Sequence, residues 1–330
     1  MTTLWDTTGT AVVKALAAER RQAGSVSSGL ALTLVVVTDE AHVAEAEAAA
    51  THAAAQHPCR LLVVVRRRPD APEARLDAEV LIGGRLGPGE AIVMRMYGRL
   101  ALHAESVVLP LLGPDAPVVT WWYSEPPYKI AHDPLGVLAE RRITDCALAP
   151  VEMEALQKRA ADYAPGDTDL GWTRTTLWRA LCASAFDSVE GPVQQARVIG
   201  AAGHVTRALL AGWLSSRLGV KVEQVDAEGT GLSRVELELA DTSISISRGK
   251  GTTAVLTRTD QPDRTLPLPR RDLGELLAEE LRRLDSDEPY AEALEAATGT
   301  SGLSDRSPHR THEWHDPVES DHPDPALSMA

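Results

Sequence analysis

Trp172, Arg174, Trp178 and Arg179 stand within one short stretch, DLGWTRTTLWRAL (Asp169–Leu181), of a chain in which only 4% of residues are aromatic. Indole and guanidinium groups break no bonds; they stack, donate hydrogen bonds and concentrate at the centres of protein interfaces. On a continuous helix from Asp169 to Ser188, Trp178, Leu181, Cys182 and Ala185 share one face, directed at a core. Trp172 falls about 120° away, on a lateral face with Thr175, Thr176 and Arg179. Arg174, four residues before Trp178, reaches that ring. Two readings stand for these rings, packing inside the protein or contact with a partner. The four residues are candidates for the centre of a partner-binding site or for its support. Trp121 and Trp122, in PVVTWWYSEPP, raise the same question. Adjacent residues of a strand face opposite sides, so one ring can be core while the other faces a helix layer or a partner.

Other residue types point to weaker chemistry. Arg66, Arg67 and Arg68 end an apolar run, LLVVVRRR, and form a candidate anion-binding group at the carboxyl end of a parallel strand; a solvated strand exit is the plainer reading. GGRLGPGE (Gly83–Glu90) lies between two strands and lacks dinucleotide-fingerprint spacing, so it reads as a hairpin turn. SRGKGTT also joins two strands and has no phosphate-loop spacing. No G-x-S-x-G elbow is present. His309, His312 and His315 in HRTHEWH lack the helical HExxH spacing, and His103 and His132 lack partners for a triad. Cys59, Cys146 and Cys182 form no C-x-x-C pair, and Cys182 shares the Trp178 stripe, which predicts a buried, inert thiol. These residues predict no catalytic constellation, no metal centre and no cofactor.

The elements that must position these residues follow from periodicity. The 330 residues suffice for about two domains, and 44% are apolar. A net charge of −14 argues against sequence-independent nucleic-acid binding, which needs a basic face. No apolar run reaches the ~18 residues of a membrane span, and the start lacks signal-peptide character, so a cytoplasmic protein is expected. TTGTAVVKALAAERRQ predicts a helix capped by Thr7 or Thr8. Leu30–Thr38 and Arg60–Arg66 are buried-type strands joined by an alanine-rich helix, a βαβ unit. ARLDAEVLIGG, GEAIVMRMYG, PVVTWWY and ERRITDCAL add strands, and LALHAESVVLPLLG a helix. Beyond a Pro/Gly/Asp linker at 165–167, a second long helix spans Pro192 to Gly219 on the stripe Val198, Ala202, Val205, Leu209 and Trp213. Four alternating segments between Val220 and Arg258 predict an antiparallel meander, covered by the amphipathic helix RRDLGELLAEELRRL. The expected architecture is an α/β N-terminal domain with a mixed sheet and flanking helices (1–166), an α+β C-terminal domain with a four-stranded antiparallel meander (167–296), and a disordered polar tail (297–330).

DLGWTRTTLWRALCASAFD resembles the signature of the OpcA family of glucose-6-phosphate dehydrogenase assembly proteins. WDTTGTAVVKAL, PVVTWWYSEPP, ERRITDCAL and LAEELRRLDSDEPYAEAL are similar to the family in the same order, over roughly residues 5–297. The match is to the actinobacterial type. The resemblance implies a non-catalytic protein that binds oligomeric glucose-6-phosphate dehydrogenase and promotes its assembly or allosteric activation in the oxidative pentose phosphate pathway. In the cyanobacterial branch cysteine redox state tunes that effect; three scattered cysteines do not match such control. Two other readings stay open: a sugar-phosphate- or nucleotide-binding α/β enzyme using Arg66–Arg68, and a scaffold of another metabolic complex.

Overall fold

The computed structural model describes residues 1–22, 30–83, 89–130, 133–186, 189 and 191–310. The chain divides into two compact units. Met1–Thr144 and Leu273–Asp285 build the first; Asp145–Asp272 and Ser286–Pro308 build the second. The first unit's main segment ends at Thr144, and the Pro/Gly/Asp stretch 165–167 lies within the second unit.

The first unit starts with β1 (Thr2–Leu4) and α1 (Gly9–Gln22). There follow β2 (Leu32–Thr38), α2 (Val43–Gln56) and β3 (Cys59–Arg67), then β4 (Arg75–Ile82) and β5 (Glu90–Tyr97). Its sheet runs β1-β4-β5-β3-β2 and on to β6 (Val118–Trp122) and β7 (Arg141–Thr144). β5, β3, β2, β6 and β7 are mutually parallel; β4 and β1 close one side antiparallel. The sheet is mixed, as the apolar β-branched runs predict. Every residue of β2 is buried, the signature of a strand covered on both faces. β4 and β5 pair antiparallel, with Gly83 N–H donating to the Gly89 carbonyl, so the hairpin reading of that stretch holds; residues 84–88 lie outside those described. The predicted LALHAESVVLPLLG helix is broken into α3 (Arg99–Leu102), α4 (Glu105–Val108) and a 3-10 turn at Leu109–Leu111; His103 leaves helical geometry after α3, and Pro110, which has no N–H to give, ends α4. A short helix, α5 (Pro134–Val137), is capped by Asp133.

A buried ion pair anchors this unit. Glu90, 1% exposed, accepts from Arg60 Nε at 2.8 Å and from Arg20 Nε at 2.5 Å. Burial alone would raise the carboxyl pKa, but the hydrogen bonds and charges of Arg20 and Arg60 outweigh it and hold the group below its usual range.

The helix expected to cover the meander, α10 (Leu273–Glu280), belongs to this unit instead. Gly274 sits so close to α2 that an added Cβ would lie 2.7 Å from His52 Cβ, an approach the alanine-rich α2 allows. Glu280 accepts from Arg141 of β7, both buried.

The second unit carries α6 (Glu152–Asp162), β8 (Asp167–Asp169), α7 (Leu170–Thr173) and α8 (Thr176–Phe186). Next come β9 (Gln195–Gly200), α9 (Val205–Leu218) and β10 (Val222–Asp226). β11 (Leu232–Glu238), β12 (Ser243–Arg248), β13 (Thr253–Arg258), β14 (Gln261–Pro267) and α11 (Glu288–Thr298) complete it. The long helix expected from Pro192 is a strand followed by a helix. Gly200 and Gly203 interrupt the stripe, and His204 starts α9 as its N-cap. With β9 and β14 added to the four strands expected, the sheet is six-stranded and mixed rather than a four-stranded antiparallel meander, ordered β10-β9-β11-β12-β13-β14, with β9 and β10 parallel and the rest antiparallel. Its buried face alternates through Val235, Leu237, Ile244, Ile246, Ala254 and Leu256. α9 crosses α11 at Gly212, where a Cβ would meet the Ala293 carbonyl oxygen at 2.2 Å.

Residues 297–306, expected to belong to a disordered tail, are packed onto the second unit. α11 runs to Thr298 and ends on left-handed Gly299. Leu303 is fully buried, and Arg306 donates to the carbonyls of Ala160, Ala161 and Tyr163 at the end of α6. An apolar anchor and a guanidinium on orphan carbonyls order a stretch whose composition alone reads as tail. Residues 311–330, including His312 and His315, lie outside those described, as does His132.

Candidate functional site

The tryptophan–arginine segment is two helices, not one. Asp169, fully buried, caps α7: its Oδ1 accepts from Gly171 N–H at 2.8 Å and its Oδ2 from Cys146 N–H at 2.9 Å. Gly171 is required there, since a Cβ would lie 2.8 Å from Asp169 Oδ1 and 3.0 Å from Val205 Cγ1. α7 ends at Arg174–Thr175, where both the N–H and the hydroxyl of Thr175 donate to the Trp172 carbonyl. α8 then starts at Thr176. The break removes the single helical wheel on which the predicted faces were drawn.

It also sends the two tryptophans to different cores. Trp172, 1% exposed, packs with Tyr163, Cys146 and Tyr290. Its indole N–H donates to Asp287 at 2.8 Å, and Asp287 caps α11 by accepting from Tyr290 N–H. Arg179 lies over the Trp172 ring, 3.6 Å from its centroid, and holds Thr175 and Thr176 through their hydroxyls. Trp178, 2% exposed, packs with Cys182 and Ala185 onto the six-stranded sheet. The cation over it is Arg248, at 5.3 Å, and not Arg174. Arg174 instead makes a two-pronged pair with Asp145, both bonds 2.7 Å. Burial would lower the Arg174 pKa, but the Asp145 hydrogen bonds and charge raise it.

Trp121 and Trp122 are also buried, at 0% and 1% exposure. They alternate across β6: Trp122 joins the first unit's core cluster, and Trp121 meets Tyr123 edge-on at 5.4 Å. All four candidate rings are therefore interior, and none presents a contact surface. The reason is size. An indole is among the largest apolar groups a core can use, and these two small units spend four of them there.

Arg66, Arg67 and Arg68 do not converge on a pocket. Arg66 pairs with Asp133 at 2.7 Å, and Arg67 donates to Tyr97 Oη at 2.6 Å and lies 3.4 Å from Glu40. Arg68 is exposed, at positive φ, in the turn that leaves β3. Two of the three arginines of the expected anion group, Arg66 and Arg67, are therefore engaged in internal contacts.

The sheet of the first unit has a switch point between β2 and β6, the place where open parallel sheets bind dinucleotides against the next helix N-terminus. Carboxylates hold that place here. Asp39 accepts from His42 N–H at 3.0 Å and from its ring at 2.8 Å; Glu45, in the first turn of α2, accepts from the Tyr123 hydroxyl. A pyrophosphate would meet negative charge.

The surface holds a ring that residue reasoning passed over. Trp5 is 68% exposed, in contrast to the four buried tryptophans. Two residues further on, Thr7, Thr8, Gly9 and Thr10 line a cleft of about 520 Å³ with Leu76, Leu100, Ser106, Val107 and Pro110. Leu109, beside it in the chain, is 47% exposed. The signal was available: WDTTGT places a tryptophan three residues before the helix N-cap Thr8, outside any apolar period that would bury it.

All three thiols are buried. Burial pushes Cys59 and Cys182 up to about 12, and raises Cys146 as well, with Asp169 adding to the effect.

Fold and segment together define a two-unit mixed α/β protein whose tryptophans are mostly structural and whose switch-point crevice is acidic. A family model described as the N-terminal domain of a glucose-6-phosphate dehydrogenase subunit matches residues 50–161, and one described as the C-terminal domain of the same kind of subunit matches residues 165–294. The chain belongs to the OpcA family of glucose-6-phosphate dehydrogenase assembly proteins. No curated protein matches it. Among solved structures, it is similar to levoglucosan dehydrogenase in complex with NADH and levoglucosan (12% identity, TM-score 0.45, 84% of this chain and 98% of that one). It is also similar to an oxidoreductase from Sinorhizobium meliloti (12%, 0.41, 86% and 92%). A third is an inositol dehydrogenase homologue from Azotobacter vinelandii (11%, 0.39, 85% and 91%). Similarity at this level gives no basis for assigning a cofactor or an activity.

Proposed function

We propose that this protein is a non-catalytic partner of glucose-6-phosphate dehydrogenase that promotes assembly or activation of the oligomeric enzyme in the cytoplasm. The observation that carries this is the family match, which spans parts of both units. The acidic switch point supports a non-catalytic role, because the carboxylates of Asp39 and Glu45 disfavour nucleotide phosphates. The exposed Trp5, two residues before the stretch that lines the cleft, is the contact we assign to the dehydrogenase, since a solvent-facing tryptophan has the make-up of a binding hot spot. Trp172, Trp178, Trp121 and Trp122 support the surface from within, and Arg174 and Arg179 form the solvent-reaching part of the signature segment. Such a partner acts by binding the competent state of the enzyme more tightly than the alternative, and it shifts the population by that difference.

The test is dehydrogenase activity at low glucose 6-phosphate, with and without the purified protein, using the enzyme from the same organism. A saturable rise in rate or in substrate affinity is expected. No change in rate and no complex by size-exclusion chromatography would overturn the proposal.

A further inference from the structure

β1 is the outer strand of the first unit's sheet and pairs on one side only, antiparallel to β4. Its other side carries backbone N–H and C=O groups with no strand beside them among the described residues. The side chains alternate. Thr2 donates its hydroxyl to Glu19 of α1, and Leu4 packs on the core. Met1, Thr3 and Trp5 are exposed on the opposite face. There Thr3 registers with Glu79 of β4, whose carboxylate is taken by Arg95.

The two edges of the second unit's sheet are guarded. β14 carries Pro262, Asp263, Arg264 and Pro267, and β10 carries Glu223 and Asp226. Proline and charge keep a further strand from adding to an edge. From Thr2 to Trp5 there is neither, and threonine and tryptophan favour strands. A charge stands just beyond. Asp6 is exposed at φ 45°, with its own N–H donated to Asp77. Its carboxylate accepts no hydrogen bond among the described residues, and Arg75, which feels its charge, is bound to Asp77.

We propose that β1 is a strand-addition site, at which an extended segment of the dehydrogenase pairs with the open edge, sets an apolar side chain against Trp5 and brings a cation to Asp6. The inference rests on the proposed role at the dehydrogenase and gives the mode of contact at Trp5. Outward N–H and C=O groups at strand spacing are satisfied together only by another extended chain. The cation follows from Asp6, and a second copy of this chain, itself at −14, is the poorer match in charge. A three-residue strand supplies few hydrogen bonds, so Trp5 carries most of the affinity.

The experiment follows backbone hydrogen exchange of residues 2–6 in the full-length protein, alone and saturated with the dehydrogenase, beside size-exclusion chromatography of both samples. The edge amides are expected to exchange about tenfold or more slowly in the complex. Thr3→Lys, at an exposed position, is expected to leave the urea midpoint unchanged and to weaken binding about tenfold or more. A complex that forms while exchange at residues 2–6 stays unchanged would overturn strand addition and leave the partner standing. Trp5→Ser weakening the complex with no protection of those amides would do the same, because the ring alone would then be the contact. Absence of any complex would overturn the partner and the inference together. A dimer of the protein alone that Thr3→Lys dissolves would also overturn it, by giving the edge to a second copy.

Discussion

The indole N–H of Trp172 and the carboxylate of Asp287 meet at 2.8 Å across 115 residues of chain, and the same carboxylate caps α11. One hydrogen bond therefore joins the signature segment to the last helix of the second unit. Trp172→Ala would remove a fully buried ring and is expected to cost about 3–5 kcal/mol. Asp287→Ala would lose the cap and orphan the indole, at about 2–3 kcal/mol. A double-mutant cycle of Trp172→Phe and Asp287→Ala in urea should show clear coupling. Additive effects would mean the bond contributes little.

Trp5 should behave in the opposite way. With 68% of its surface in solvent, it supports little of the fold. Trp5→Ser is expected to change stability by no more than about 0.5 kcal/mol. If Trp5 is a contact, the same change should weaken dehydrogenase binding by about 30-fold or more, the loss typical of a hot-spot aromatic. Biolayer interferometry against the enzyme, alongside urea melts, separates the two quantities. Intact affinity in Trp5→Ser would remove this surface from the interface.

His204 gives the fold a pH dependence. Its Nδ1 accepts the Thr206 N–H at the start of α9, which only a neutral ring can do. Burial lowers its pKa from 6.5; Glu152 opposes this, and Arg174 and Arg207 lower it further. The unfolded chain thus binds the proton more readily than the folded one. The cap's contribution is complete above pH 6.5 and is lost as pH falls through the depressed folded value. His204→Ser keeps a cap and cannot titrate. Urea midpoints at pH 7.5 and 5.5 should fall more for the wild type than for His204→Ser; equal falls would place the pH dependence elsewhere.

What the sequence disclosed and what it hid have physical causes. β2, β3 and the parallel unit they form with α2 were legible, because strands covered on both faces read as unbroken β-branched runs. The two-helix break at Arg174–Thr175 was not, since no proline or glycine marks it; side-chain capping by Thr175 makes it. β9 was read as helix because Val198, Ala202 and Val205 happen to satisfy a helical period across a strand and a turn. The partner of α10 could not be read from its amphipathic face, which fits a meander as well as α2. For the candidate site, residue types located Trp172, Arg174, Trp178 and Arg179 but not their orientation. Burial of a tryptophan depends on tertiary packing, and the composition that suggested an interface suits a core equally well.

The three thiols provide a test of redox insensitivity. At pH 8 a thiol with a pKa of about 12, as for Cys59 and Cys182, holds only about one part in 10⁴ as thiolate, the reactive form. Cys146 is raised in the same direction and is equally shielded. The native protein is therefore expected to leave all three thiols unreacted with a chromogenic disulfide over minutes, and to titrate all three after denaturation. Mild oxidant should leave any effect on the dehydrogenase unchanged, because oxidation needs both a thiolate and access. A rapidly reacting thiol in the folded protein, or an effect that changes with oxidant, would show an opening motion that exposes one of these cysteines and would restore redox control as a property of this chain.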